Sequence, residues 1–317
     1  PPVDAWVWEL TNATVYAGFL DLHVPVSGKA IDSSGTQMVA EQPHDLTAGG
    51  INFFGVPGGE RDPGAAGPGS ELAVIRSEQR VAPTLAPAAN DLKALRELGF
   101  TAANFVPSEG VLRGSSALAL LGDTSPNRAV LRADVFQHAA FDASASPDGA
   151  AYPRSLMGVI AAIRQTLLDA QHYDALAAAN PPRRDPVLGF SESLEALRLA
   201  INRRQPVVFE PGSVLMADRA TRLAGEFNLD FLLLASGQEW RRPDLMAVTG
   251  ARFIVPLSFP ELPKMPEESD WDQVELDQLR AWDWAAENPA LLRSNRLEIA
   301  LTTFALGDQK SFRKNLR

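Results

Sequence analysis

Two residues that could carry chemistry stand at the ends of short apolar segments. His23 ends the segment FLDLH, and Glu210 ends the segment PVVFE. A histidine at the end of a strand can bind a metal ion, or it can hydrogen-bond to a neighbouring loop. Zinc sites take three or four nitrogen, oxygen or sulfur ligands, so a metal site built on these two residues needs further donors, such as Asp21 or a carboxylate from the loop after His23.

The other three histidines of the chain add little to such a site. His44 lies among acidic residues in EQPHDL, which predicts a solvated side chain. His138 is flanked by apolar residues in DVFQHAAF and is predicted to be a core or rim histidine with its hydrogen bonds satisfied. His172 follows Asp169 by three residues on the polar face of a long helix, the spacing of an ordinary exposed pair.

Glu210 is the best placed carboxylate. The turn Pro-Gly-Ser follows it and leads into the next helix, so its side chain is predicted to point into the mouth of the fold. There it could bridge metal ions or act as a general base with a raised pKa. The alternative is a buried ion pair with a rim arginine such as Arg113.

The segment SEGVLRGSSALALL places Glu109 and Arg113 in a glycine- and serine-containing stretch after a strand. A glycine-rich loop with an arginine can hold an anion, but the spacing fits neither the phosphate loop nor the dinucleotide fingerprint. A small-ligand site at Glu109 and Arg113 is a third possibility, beside the metal site and the buried ion pair.

Composition excludes several classes of partner. The chain has 317 residues, a formal net charge of −10 and no cysteine. The charge offers no attraction for nucleic acid, and no basic stripe offsets it. Disulfides, thiolate nucleophiles and cysteine-bound zinc are excluded, and no apolar run is long enough to span a bilayer.

The order of elements predicts an α/β fold. Short, continuously apolar strands alternate with helices from residue 90 onward, which is typical of a parallel sheet covered on both faces. Asn90 or Asp91 is expected to cap the first of these helices, and Gly99 to take the left-handed position after its end. Pro153 is expected in the first turn of the long helix that follows. Doubly wound sheets and barrels share this alternation of strands and helices. Polar residues fall at the carboxyl ends of the strands, which favours a (β/α)₈ TIM-like barrel.

The organisation predicted is a single barrel segment over residues 1–317, incomplete at both ends and therefore part of a larger protein. Residues at about 27–90 hold much of the glycine and proline and are predicted to run over the surface.

Several segments resemble the amidohydrolase superfamily, and more narrowly the first half of large exported bacterial proteins with two amidohydrolase-type barrels in tandem. They span nearly the whole chain in family order, and the most specific is the block YPRSLMGVIAAIRQTLLDAQHY. The other segments are YAGFLDLHVPVSG, LRELGFTAANFVPSEGVLRGSSALALL, PVVFEPGSVLMADRATRLAGEFN, RFIVPLSFP, WDWAAENPALL and LEIALTTFALGDQKSFRKNLR.

The resemblance implies a set of metal ligands, most of which this sequence lacks. Superfamily members use His-x-His after the first strand, a carbamylated lysine or a glutamate after the fourth, histidines after the fifth and sixth, and an aspartate after the eighth. His23 and Glu210 match that set. The other positions carry Pro25, Ser236, Ser258 and Phe304, none of which replaces an imidazole or a carboxylate.

The resemblance therefore implies a parent hydrolase acting on C–N bonds of cyclic amides, imides or peptide-like substrates, with this segment a non-catalytic barrel. The expected partner of this segment is the second barrel of the same protein. The parent protein is expected to be periplasmic or extracellular, and no cofactor is expected in this segment. The alternatives are an active hydrolase with one zinc ion at His23 and Glu210, and a small-ligand binding module.

Overall fold

The computed structural model of the protein describes residues 16–26, 72–122, 125–142, 152–179, 190–263, 274–308 and 311–317, together with the isolated residues 4, 11, 12, 14, 267, 271 and 272. His44 and residues 27–71 of the predicted surface excursion lie outside the described residues.

Strands form two sheets in this part of the chain. The first sheet has the order β1-β2-β4-β5 and the second the order β10-β9-β8-β7-β6-β3. The strands are β1 (Phe19–Val26), β2 (Phe100–Pro107), β3 (Leu112–Ser115), β4 (Ala117–Leu120), β5 (Val130–Arg132), β6 (Gln137–Ala140), β7 (Val207–Glu210), β8 (Phe231–Leu234), β9 (Arg252–Pro256) and β10 (Glu298–Thr302).

Helices connect most of the parallel strands. They are α1 (Val81–Thr84), α2 (Ala89–Leu98), α3 (Pro126–Ala129), α4 (Leu156–Ala179), α5 (Glu192–Ile201), α6 (Val214–Glu226), α7 (Pro243–Ala247), α8 (Leu276–Trp284), α9 (Asn288–Ser294) and α10 (Phe312–Asn315). None of the helices in the described ranges is both long and apolar enough to cross a membrane.

Strands β6 to β10 form the parallel unit that the sequence predicts, each pairing in parallel with the next. Apolar residues line both faces of these strands, since Val207, Phe209 and Leu233 lie in the large core cluster with the helices, while alternate residues lie in a second cluster. Val208, Leu232, Leu234 and Ile254 form a separate small inner cluster, with Phe304 packed against it. The mixed α/β class is thus confirmed.

The antiparallel strands β3, β4 and β5 depart from the prediction. The segment around Arg113, predicted as a loop, forms β3 antiparallel to β6, and β4 pairs antiparallel with both β2 and β5. At Gly114 the backbone φ is +100° and a Cβ would lie 2.2 Å from the carbonyl oxygen of Gln79, so only glycine fits. The glycine serves a close backbone approach and not an anion-binding loop.

The two sheets meet along β1 and β10, which are in contact without a shared backbone ladder in the described residues. Asp21 of β1 links them: its carboxylate accepts hydrogen bonds from Thr302 Oγ1 at 2.6 Å, Thr303 Oγ1 at 2.6 Å and Thr303 N at 2.9 Å, and also from His23 N at 3.0 Å. One buried carboxylate therefore joins the edges of the two sheets and fixes the backbone of His23.

The starts of α5 and α6 follow the sequence prediction, whereas α2 and α4 start at other positions than expected. Ser191 and Ser213 cap α5 and α6, accepting hydrogen bonds from the third backbone N–H beyond each. Asn90 and Asp91 do not cap α2, because the helix starts one residue earlier behind Ala88. Pro153, expected in the first turn of α4, precedes a helix that begins at Leu156.

The part of the predicted surface excursion that the structure describes contributes to the core. Ile75 is fully buried, and Val81 and Leu85 are also buried. Ile75 forms an isolated parallel bridge to Leu112 of β3. Because glycine and proline dominate this segment, its few buried apolar residues form no periodic pattern in the sequence. They pack in the core clusters with the strands and helices.

Candidate functional site

Three strands bring His23, His138 and Glu210 together. Each side chain offers one metal-ligating atom, and these atoms all lie within 4.8 Å of one another. His23 lies on β1, His138 on β6 and Glu210 at the end of β7, which pairs with β6 so that Ala140 lies opposite Glu210. Both histidines are buried, at 1% exposure for His23 and 0% for His138.

Glu210 is held by two groups. The Nδ1 atom of His138 lies 3.0 Å from Glu210 Oε1, while Arg113 of β3 donates from Nη1 to Oε2. The other terminal nitrogen of Arg113 donates to Asp142, and its Nε donates to the carbonyl oxygen of Gly110 at 3.1 Å. The buried ion pair between Glu210 and a rim arginine, one of the two sequence-based interpretations of Glu210, is what the structure contains.

The charges of this group are set by burial and by the ion pair. Burial raises the pKa of the Glu210 carboxyl, but Arg113 and the hydrogen bond from His138 outweigh it and hold that pKa at about 2. Burial lowers the pKa of Arg113, and the negative charges of Glu210 and Asp142 more than offset this. Of the two interpretations of Glu210, the general base with a raised pKa does not fit this lowered pKa, because the adjacent guanidinium stabilises the ionised form.

His23 is neutral at physiological pH. Complete burial lowers its pKa from 6.5 to about 3, partly offset by the charge of Glu210. The unfolded chain therefore binds a proton below pH 6.5 that the folded chain does not bind. The stability contributed by neutral His23 is fully present above about pH 6.5 and is lost as the pH falls toward about 3.

This linkage predicts a specific pH dependence. Between pH 6 and pH 5, His23 should lower the free energy of unfolding by up to about 1.4 kcal/mol per pH unit. His23→Asn should flatten that slope, and His172→Asn, on the exposed face of α4, should leave it unchanged. Urea unfolding at several pH values with a chelator present measures both. Equal slopes in the wild type and His23→Asn would contradict the prediction.

Two imidazole nitrogens of the cluster have no hydrogen-bond partner among the described residues: His23 Nδ1 and His138 Nε2. Buried polar atoms are nearly always paired, and these two are among the few exceptions in the described residues. The ring of Phe304 packs edge-on against His23, with ring centroids 4.7 Å apart, and the two histidine rings lie 5.8 Å apart. An aromatic ring thus covers one side of the His23 imidazole.

The positions that the resemblance assigns to further metal ligands serve the fold here. Ser236 donates from Oγ to Glu239 Oε1 at 2.8 Å, and the same buried carboxylate accepts from Gly237 N and from Asn288 Nδ2. With proline at 25, serine at 236 and 258 and phenylalanine at 304, the side chains present do not fit the implied two-metal centre.

Glu109 and Arg113 belong to separate ion pairs. Arg76, itself buried, binds Glu109, whereas Arg113 binds Glu210 and Asp142. Asp21, considered as a third metal ligand, is instead occupied by the hydrogen bonds that link β1 to β10. The carboxylates of residues 27–71 lie outside the described residues.

Sequence reasoning missed His138 as a member of the cluster. Its burial is as predicted, but its Nε2 atom is not satisfied. The residue lies inside β6 and not at a strand end, so the rule that located His23 and Glu210 did not find it. The available signal was a histidine within an otherwise apolar strand.

No protein-family model matches the sequence, and no curated protein matches it. Among solved structures, the fold resembles that of an amidohydrolase from Thermotoga maritima MSB8 with a TM-score of 0.59. The two sequences are 14% identical, and the match covers 94% of this chain and 70% of that chain. At this identity the similarity shows the fold alone: the chain has an amidohydrolase-like fold.

Proposed function

We propose that this chain is an amidohydrolase-like barrel segment of a larger hydrolase, in which it acts as a structural or partner-binding half. The observation that carries this proposal is the ion pair of Arg113 with Glu210, since a guanidinium cation already neutralises the best placed carboxylate. The parent protein would hydrolyse C–N bonds of cyclic amide, imide or peptide-like substrates through its other half. Both the activity of the parent protein and its export from the cytoplasm are inferred from the sequence resemblance.

The chemistry of the mouth supports a non-catalytic role. Metal-dependent hydrolysis needs a firmly held ion to lower the pKa of its bound water to about 7. The only carboxylate of the described three-residue cluster is bound by Arg113. At residue 304 an apolar ring stands where the resemblance places an aspartate.

Metal content of the purified polypeptide tests this function. After purification without chelator or added metal, we expect well under one zinc, iron or manganese ion per chain by mass spectrometry. Because no structural metal is involved, a chelator should leave the melting temperature unchanged. About one ion per chain, together with a loss of stability in chelator, would overturn the proposal.

A second candidate is an active hydrolase with a single metal ion. The approach of His23, His138 and Glu210, with one ligand atom of each within 4.8 Å of the others, favours it, and His138 would supply the third ligand that the sequence analysis did not identify. Full metal occupancy as purified, with amide or imide hydrolysis that Glu210→Gln abolishes, would replace the first proposal by this one. No contact of the described residues favours the small-ligand module, since Glu109 and Arg113 are each bound to charged partners.

A further inference from the structure

An apolar pocket of about 240 Å³ lies beside the first sheet and shares no residue with the cluster of His23, His138 and Glu210. Its lining comes from α2, β2, β4, α3 and the short segments next to them, and no lining residue has a polar side chain. The nine lining residues are Leu85, Ala86, Pro87, Leu92, Phe105, Ala119, Leu120, Gly122 and Ala129. We propose that this pocket binds one uncharged apolar molecule of about the size of an alkylbenzene.

The pocket exists because small residues stand where larger side chains would fill the space. Ala119 of β4 lies on the same face of the sheet as Phe105 of β2, since Phe105 pairs with Ala117 and side chains alternate along a strand. Ala129 of α3 and Gly122, which follows β4, also add little volume. A Cβ atom on Gly122 would meet no atom within 4 Å. The sequence therefore leaves a gap beside the large side chains of the lining.

The floor of the pocket is buried and its rim is exposed. Leu85, Phe105 and Ala119 are buried, whereas Leu120 and Gly122 are exposed. A ligand can therefore enter from solvent without the opening of a helix or strand. Once inside, it displaces water that has no polar side chain of the lining to bind, and this displacement favours an apolar ligand.

Volume and lining together define the class of ligand. An engineered apolar cavity of about 150 Å³ stays dry and binds benzene. A pocket of about 240 Å³ therefore has room for a benzene ring with a short alkyl substituent. A charged group would lose its hydration there without a polar side chain to replace it, so the pocket selects uncharged molecules.

The small area of the rim favours a small molecule over a protein partner. A stable protein–protein interface buries about 800 Å² on each side. In the lining, Leu120 is the one large side chain that is exposed, and the remainder of the rim consists of Ala86, Pro87 and Gly122. These residues offer too little apolar area for such an interface, whereas an alkylbenzene needs only the pocket.

The test is the binding of ethylbenzene to the purified full chain. Phenylacetate, which has the same carbon skeleton and a charged carboxylate, is the matched control ligand. We expect ethylbenzene to raise the melting temperature as its concentration rises and to give saturation-transfer signals in NMR. Phenylacetate at the same concentrations should do neither. If ethylbenzene has no effect in either measurement, or if both ligands act equally, the inference is wrong.

Variants of the lining locate the binding. Ala119→Leu places a larger side chain at the floor and Gly122→Leu places one at the rim, and each should weaken ethylbenzene binding at least about tenfold because the added side chain occupies the space of the ligand. Gly225→Leu makes the same change at an exposed glycine of α6, where an added Cβ also meets no atom within 4 Å, and should retain the affinity.

The outcome of the variants decides the inference even if one of them does not fold. Ala119 is buried, so leucine there can strain the core, whereas Gly122 has open space around it. If Ala119→Leu fails to fold, Gly122→Leu alone is compared with Gly225→Leu. Unchanged affinity in every folded variant of the lining would show that ethylbenzene binds elsewhere and would refute the proposal.

Discussion

Asp21→Ala is expected to lower the free energy of unfolding by about 3–5 kcal/mol. The side chain of Asp21 is fully buried and accepts four hydrogen bonds, three of them from Thr302, which ends β10, and from Thr303, which follows it. Alanine would leave the backbone N–H of His23 and the two Thr303 donors without this acceptor, while Thr302 Oγ1 would keep the carbonyl oxygen of His23. No backbone ladder joins β1 to β10 in the described residues, and a weaker bond from Thr302 Oγ1 to the carbonyl oxygen of His23, at 3.1 Å, is the other hydrogen bond between these strands that the described residues show.

Urea unfolding monitored by tryptophan fluorescence and circular dichroism measures this loss. Asp283→Ala, at an exposed position of α8, is the matched control and should change stability little. The loss of stability in Asp21→Asn should fall between those of Asp21→Ala and Asp283→Ala. The amide keeps one acceptor oxygen, but its NH₂ group is a donor and faces groups that also donate. A loss of less than about 1 kcal/mol in Asp21→Ala would show that the carboxylate does not stabilise the junction.

Much of the helical and parallel part of the fold could be predicted from the sequence. Strands such as PVVFE and FLLL are continuously apolar because both of their faces are covered, and they coincide with β7 and β8. The left-handed position after α2 also falls at Gly99, as predicted, with φ of 105°. These signals depend only on residues that are neighbours in the sequence, so they can be recognised without knowledge of the tertiary contacts.

The antiparallel strands could not be predicted in the same way. β3 (LRGS) and β5 (VLR) contain arginine, serine or glycine within three or four residues and lack the continuous apolar run that identified β7 and β8. Their pairing depends on partners far along the chain, such as β2 for β4. The serine and glycine residues around Arg113 suggested a loop, whereas they allow close contact with the backbone of Gln79 and Arg80.

The site could be predicted only in part for a related reason. The strand-end rule selected His23 and Glu210, which the structure brings together with His138. It could not choose between a metal ion and an arginine as the partner of Glu210, because that choice depends on the position of β3 beside β6. The two unpaired nitrogens depend on side-chain orientation, which a single sequence does not encode in any local pattern.

The ion pair of Arg113 with Glu210 is expected to show strong coupling in a double-mutant cycle. The side chains are only 12% and 9% exposed, so Arg113→Met alone leaves a buried carboxylate without its cation, at a cost of about 3 kcal/mol. Glu210→Met alone should cost less, because Arg113 keeps Asp142. The double variant should be more stable than the sum of the two losses predicts, since it leaves no uncompensated charge.

The cycle is measured by urea unfolding with a chelator present, so that metal binding does not contribute. The surface pair Arg164 and Glu226, with an N–O distance of 2.9 Å and side chains 45% and 42% exposed, is the matched control and should show coupling of at most about 1 kcal/mol. Coupling at Arg113 and Glu210 no larger than in this control would mean that the guanidinium does not stabilise the buried carboxylate. The case for an arginine in the place of a catalytic metal would then fail, because that case requires Glu210 to depend on the charge of Arg113.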